Sequence, residues 1–237
     1  MKRRNEKKII SKISNGMGLL STILGIIFPS KCLVCGRDGT DLCLTCLSDF
    51  PGAERESARW IFPIFDYRYP PMKRAVWLLK YKGKKTIASV FAEVLYGRIL
   101  EELSELSIME NFREPVLIPV PLSSKRYRER GFNQAELICR ELIKINDLRH
   151  GLDLKLENNI LIKIKDTEHQ VKIENRKERM TNVVGSFSVR DESINQIKGR
   201  NIILLDDVAT TGATLNEAKK ILKHAGARKV IAFTIAH

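Results

Sequence analysis

The chain has 237 residues, 43% of them hydrophobic, and carries 41 Lys and Arg against 28 Asp and Glu, for a formal net charge of +13. This suits one α/β domain with a small appendage and excludes both two large domains and a chain too polar to bury a core. The positive balance favours anionic partners (nucleic acid, phosphorylated metabolites or an acidic membrane surface) without choosing among them.

Residues 1–29 place Lys2, Arg3, Arg4, Lys7 and Lys8 ahead of an apolar run from Met17 to Phe28. The run imitates the start of a secretory signal. However, Pro29-Ser30-Lys31-Cys32 offers no cleavage site, and the stretch is too short and interrupted to span a bilayer. Leu19, Leu20, Ile23, Ile26 and Ile27 share one helical stripe, so a basic amphipathic helix docked on the body is expected, with contact to a membrane surface as the alternative. A cytoplasmic protein without stable membrane insertion is the expectation.

Residues 30–50 hold Cys32-x2-Cys35 and Cys43-x2-Cys46, seven residues apart. Paired thiolates at this spacing complete a tetrahedral zinc shell, and a module this small needs such a staple. The alternative is two disulfides or four unrelated thiols. Cys32, Cys35, Cys43 and Cys46 are therefore read as structural zinc ligands with no open coordination position. Cys139 reads as a buried small hydrophobe inside a later helix.

The body is expected to run from 60 to 237. From Tyr67 to Ala92 there is no acidic residue, while Arg68, Lys73, Arg74, Lys80, Lys82, Lys84 and Lys85 alternate with Tyr67, Tyr69, Trp77 and Tyr81. Two readings stand side by side: a groove that tracks phosphates and stacks bases of single-stranded DNA, or a solvated helix face with Trp77 and Leu78 buried behind it. A helix follows from Thr86 to about Leu106, then a short buried strand in Pro115–Pro121. A polar, basic loop is expected over Ser123–Gln134, then a helix from Ala135 to Ile143. Strands are expected near Asn158–Ile164 and in Asn182–Val189, where Gly185 weakens the second. The charged connector at 165–181 reads as a solvated helix or a mobile lid.

Asn201–Leu205 is an apolar strand of the kind covered on both faces, and Asp206 and Asp207 are expected to stop it. Two adjacent carboxylates there need partners, and the hydroxyls of a bound sugar are suitable ones. Val208, Ala209, Thr210, Thr211, Gly212, Ala213 and Thr214 then lead into a helix whose buried stripe is Leu215, Ala218, Ile221, Leu222 and Ala225 and whose end is Gly226. Amides at that helix start, with the Thr hydroxyls, can enclose a phosphomonoester. The plain alternative is a strand-turn-helix with Thr211 or Thr214 as N-cap.

Leu-Leu-Asp-Asp-Val-Ala-Thr-Thr-Gly-Ala-Thr resembles the phosphoribosyl-pyrophosphate motif of type I phosphoribosyltransferases. Pro119-Val-Pro-Leu, Arg130-Gly-Phe-Asn-Gln134, Thr167-x2-Gln170, Arg176, Asn182 and the Cys pairs together resemble the ComF family of late competence proteins. A further Cys pair common in that family is replaced by Ser57–Pro63, and its basic position before the Thr-x2-Gln stretch is filled by Lys163 and Lys165. The resemblance implies a parallel sheet flanked by helices with an N-terminal zinc ribbon. It further implies phosphoribosyl pyrophosphate and magnesium as ligands, and displacement of pyrophosphate from the ribose. Asp206 and Asp207 would hold the ribose, and residues 206–214 the 5-phosphate. Leaving-group charge would be met by the Leu122, Ser123 and Ser124 amides with Lys125, Arg126 or Arg130. The implied role is uptake or handling of transforming single-stranded DNA, with a competence helicase or recombination loader as partner. The alternative is a metabolic phosphoribosyltransferase with an unidentified acceptor and no DNA role.

Overall fold

The computed structural model describes residues 30–54, 58–166 and 183–237. The expected N-terminal helix, the Thr167-x2-Gln170 stretch, Arg176, Asn182 and nearly all of the 165–181 connector lie outside them. Strands β1 Ile61–Phe65, β2 Val116–Pro119, β3 Lys155–Leu156, β6 Asn201–Val208 and β7 Lys229–Ala236 form one sheet, in the order β1-β7-β6-β2-β3. Every pairing in it is parallel. Strands β4 Leu161–Lys163 and β5 Phe187–Val189 make a separate antiparallel pair. The helices are α1 Leu44–Ser48, α2 Pro70–Tyr81, α3 Thr86–Glu110, α4 Ser124–Arg130, α5 Gln134–Leu148, α6 Ile194–Ile197 and α7 Ala213–His224.

Alternation along β6 explains why it reads as continuously apolar. Ile203 and Leu205 pack with Leu79 of α2, Phe91 of α3 and Leu142 of α5, whereas Ile202 and Leu204 pack with Leu215 and Leu222 of α7. Helices therefore cover both faces, the arrangement that parallel sheets require. The strand does not stop at the carboxylates. Asp206 and Val208 still pair with Thr234 and Ala236 of β7, because ladder hydrogen bonds belong to the backbone and tolerate any side chain with room to point away.

Three further expectations change. Residues 124–130 form a helix where a loop was expected: the Ser123 hydroxyl accepts from the Arg126 amide at 3.4 Å, and Gly131 ends the turn at φ 77°. It buries no residue, so it carries no apolar stripe to betray it. The strand expected from Asn182 shrinks to Phe187–Val189, since residues 183–185 form a turn with Gly185 at φ +66°. In α2 the buried stripe is Met72, Ala75, Val76 and Leu79, while Trp77 is 47% exposed instead of buried.

The cysteine module docks directly on this body. Leu42, Leu47 and Phe50 share one core with Phe65 and Met72, and the Phe50 and Tyr69 rings meet edge-on at 4.9 Å. Asp41 accepts a hydrogen bond from Thr86 and pairs with Lys84 at 3.0 Å, tying the module to the start of α3.

Candidate functional site

After β2 the chain crosses to α5 on one face of the sheet, and after β6 it crosses to α7 on the other. The adjacent carboxyl ends of β2 and β6 are thus a topological switch point, where the two connections part and leave a crevice. A cleft of about 660 Å³, counting its open mouth, lies there. Its wall includes Lys80, Leu122, Arg126, Arg130, Gln134, Lys163, Asp206, Asp207 and Thr214. They arrive from seven places in the chain: α2 (Lys80), the β2–α4 connection (Leu122), α4 (Arg126 and Arg130), α5 (Gln134), β4 (Lys163), the end of β6 (Asp206 and Asp207) and α7 (Thr214).

Asp207 is 7% exposed and forms an ion pair with Lys80 at 2.9 Å. Burial opposes the charge on Lys80, but Asp207 and then Asp206 outweigh it and raise its pKa. Asp206 accepts from the Asp207 amide at 2.8 Å. Burial, then the neighbouring Asp207 carboxylate, push Asp206 up to about 7. Two carboxylates in one low-dielectric pocket cannot both ionise cheaply unless cations or hydrogen-bond donors meet them.

Beyond the aspartates, Val208–Leu215 surround a smaller hollow of about 210 Å³. Gly212 occupies the N-cap of α7 at φ 70°, and no side chain caps the helix there. This replaces the Thr N-cap alternative; Thr211 instead accepts from the Ala213 amide at 3.4 Å. A 12-residue helix thus begins at this hollow, and a helix N-terminus is a favourable place for an anion.

The cleft that holds the aspartates is also cationic, with Lys80, Arg126, Arg130 and Lys163 on its wall. Burial, then Arg126, pull the Lys163 ammonium down to about 8. Burial and then Arg130 also lower the Arg126 pKa. Arg130 donates to the Gln134 carbonyl oxygen at 2.8 Å and lies over the Tyr81 ring at 5.2 Å.

Of the residues expected from sequence, the cleft and hollow gather Asp206, Asp207, Val208, Ala209, Thr210, Thr211, Gly212, Ala213, Thr214, Arg126 and Arg130. Ser123 is instead buried as the cap of α4, and Ser124 and Lys125 are exposed and do not line the cleft. Sequence reasoning missed Lys80 and Gln134. Lys80 belonged to the basic run at 67–85, where nothing separates a lysine that turns inward from its exposed neighbours. Gln134 stood in a quoted motif but carries no charge to mark it.

The Sγ atoms of Cys32, Cys35, Cys43 and Cys46 lie within 4.8 Å of one another. The Cys32–Cys43 and Cys35–Cys43 separations are 3.7 and 3.8 Å, which excludes the disulfide alternative for these pairs. Tetrahedral zinc with bonds of about 2.3 Å puts sulfurs about 3.8 Å apart, so the set fits that ion. Burial raises the Cys32 pKa, but the backbone amides of Cys35, Val34 and Cys43 bring it down to about 6, which favours a thiolate ligand. Cys139 is fully buried in α5, as its place in the apolar pattern suggested.

Residues 156–237 match the family model described as a phosphoribosyl transferase domain. The chain is 30% identical over 210 residues to Competence protein F of Haemophilus influenzae, covering 85% of this chain and 83% of that protein. It belongs to the ComF family. Competence protein ComFC of Bacillus subtilis is 33% identical over 165 residues, 69% of this chain and 59% of its own length. DNA utilization protein YhgH of Escherichia coli K12 is 27% identical over 202 residues, covering 84% of this chain and 80% of that one. A solved hypoxanthine phosphoribosyltransferase from Trypanosoma cruzi aligns at 14% identity over 62% of this chain and 65% of its own, with a TM-score of 0.37. This ComF-family chain thus combines a phosphoribosyltransferase-type sheet with an N-terminal four-cysteine cluster. No helix among its described residues is long and apolar enough to cross a membrane.

Proposed function

We propose that this ComF-family protein binds phosphoribosyl pyrophosphate with magnesium in the β2–β6 cleft and serves the handling of transforming single-stranded DNA. The observation that carries the reading is that Asp206 lines both the hollow of the 208–215 turn and the cleft that holds Asp207 and four cationic side chains. A ligand with a monophosphate at one end, hydroxyls in the middle and a diphosphate at the other offers a group for each of these parts. The 208–214 turn holds the 5-phosphate, Asp206 and Asp207 take the ribose hydroxyls, and Arg126, Arg130, Lys80 and Lys163 meet the diphosphate.

The aspartate pair also suits a divalent cation, because a dication offsets the burial and then the Asp207 repulsion that push the Asp206 pKa up to about 7. Magnesium, when bound, supplies charge neutralisation for the diphosphate. Calorimetry with phosphoribosyl pyrophosphate and magnesium is the direct test. Wild type should bind, and Asp206→Ala with Asp207→Ala should weaken binding roughly a hundredfold, the loss of about two charge-assisted hydrogen bonds. Unchanged affinity in the double variant would remove the reading. Pyrophosphate release against a panel of acceptors separates a transferase from a protein that only senses the ligand.

The DNA role is supported by the names of the competence relatives and by one surface. Trp77 and Tyr81 stand 47% and 53% exposed with ring centroids 6.2 Å apart, and Lys82 lies over Trp77 at 5.5 Å. Aromatic faces flanked by cations suit stacked bases of a single strand. Lys80 and Lys84 leave this surface, being paired with Asp207 and Asp41. Trp77→Ala with Tyr81→Ala should therefore weaken single-strand binding about tenfold or more. Affinity should also fall steeply with added salt. Equal affinity of the variant and wild type would exclude this surface. A competence helicase or recombination loader remains the protein partner this role calls for.

A further inference from the structure

Gln134, the first residue of α5, is 1% exposed and lines the cleft. Its amide orientation is fixed by chemistry. Arg130 only donates hydrogen bonds, so the atom 2.8 Å from its Nη1 must be the carbonyl oxygen Oε1. The other amide atom, Nε2, then carries two N–H groups, is buried, and has no hydrogen-bond partner among the described residues. Buried amide donors are nearly always satisfied, and one left without an acceptor is costly, so an exception beside a cleft calls for an acceptor from outside the chain.

Its surroundings define the acceptor. Gln134 shares the cleft wall with Arg130 and Arg126 and stands at the start of a 15-residue helix whose dipole favours negative charge. An acceptor at such a place is an anionic oxygen without a proton, and Gln134 lines this cleft but not the hollow at 208–215. The geometry points to Gln134 as a ligand-binding residue that donates to a diphosphate oxygen, at the end of the site remote from the sugar 5-phosphate. This inference rests on the proposed ligand and adds a neutral donor to a site otherwise read through its charges.

An alternative role, in which Gln134 only props Arg130, makes a different prediction in a double-mutant cycle. Calorimetry with inorganic pyrophosphate, ribose 5-phosphate and phosphoribosyl pyrophosphate, each with magnesium, is run on wild type, Gln134→Met, Arg130→Ala and the double variant. Gln134→Met should weaken pyrophosphate and phosphoribosyl pyrophosphate about tenfold in both backgrounds, the scale of one lost hydrogen bond to a charged group. Ribose 5-phosphate should bind all four proteins alike, which also certifies their folding. Gln134→Glu keeps an oxygen for Arg130 while removing both donors, and should weaken pyrophosphate at least as much. If Gln134→Met has no effect once Arg130 is alanine, the residue is a prop and the inference falls. If wild type binds ribose 5-phosphate and pyrophosphate but no Gln134 variant differs from it, the inference falls while the cleft reading stands. If wild type binds none of the three ligands, the cleft reading falls first.

Discussion

Asp206 shows how a single residue can record the chemistry of its site. Its carboxyl is raised from 3.8 to about 7 by burial and by Asp207, so the folded chain holds a proton there that the unfolded chain has released. Between about pH 4 and pH 7 the native state therefore binds more protons than the unfolded state, and stability falls as pH rises through that window. Asp206→Asn removes the penalty. In thermal melts without ligand or magnesium, the variant should melt above wild type at pH 8 and level with it near pH 4. A wild-type advantage at pH 8 would mean that Asp206 is ionised and well compensated in the ligand-free chain. Neither the shift nor the Lys80 partner was legible from sequence. Adjacent carboxylates were visible, but their pKa depends on which distant cation the fold brings to them.

At the scale of elements, the β6–turn–α7 unit works because its residues agree with one another. The strand pairs through Val208, the turn closes on Gly212, and the helix starts without a side-chain cap. Gly212 is needed there for its backbone conformation more than for space. Its φ of +70° strains any L side chain, and an added Cβ would stand 3.4 Å from Cδ1 of Ile61. Gly212→Val should cost about 1–2 kcal/mol in urea unfolding, the usual penalty for a left-handed non-glycine residue, and should weaken ribose 5-phosphate binding. Full retention of both would show that the turn relaxes without loss. This unit was readable from sequence because strand, turn and helix signals are all local. Helix α4 was not, since a short helix that buries nothing lacks the periodicity from which helices are recognised.

Across the whole molecule, the four-cysteine cluster and the cleft are joined by one helix. Phe50 packs on Tyr69 just before α2, Asp41 holds Lys84 just after it, and α2 itself carries Lys80 to Asp207. Zinc is expected at about one ion per chain, since four thiolates complete one shell. Stripping it with a chelator should lower the melting temperature and also weaken anion binding in the cleft, through the loosened Lys80. Metal analysis, melting curves and calorimetry on the same samples check this chain of effects. Loss of stability with undiminished anion affinity would show the module to be structural only.

Sequence by itself determined the local chemistry: the paired cysteines, the β6 strand with the turn and helix that follow it, and the α/β class. These follow from spacing, periodicity and turn chemistry within a few residues of chain. Only the tertiary structure decided which cations face the aspartates, that Trp77 points outward, and that Gln134 keeps an unpaired donor at the cleft. Those facts depend on contacts between α2, α5 and β6, which lie far apart in sequence. A side chain's neighbours across such distances are set by how the layers pack, which no local pattern encodes.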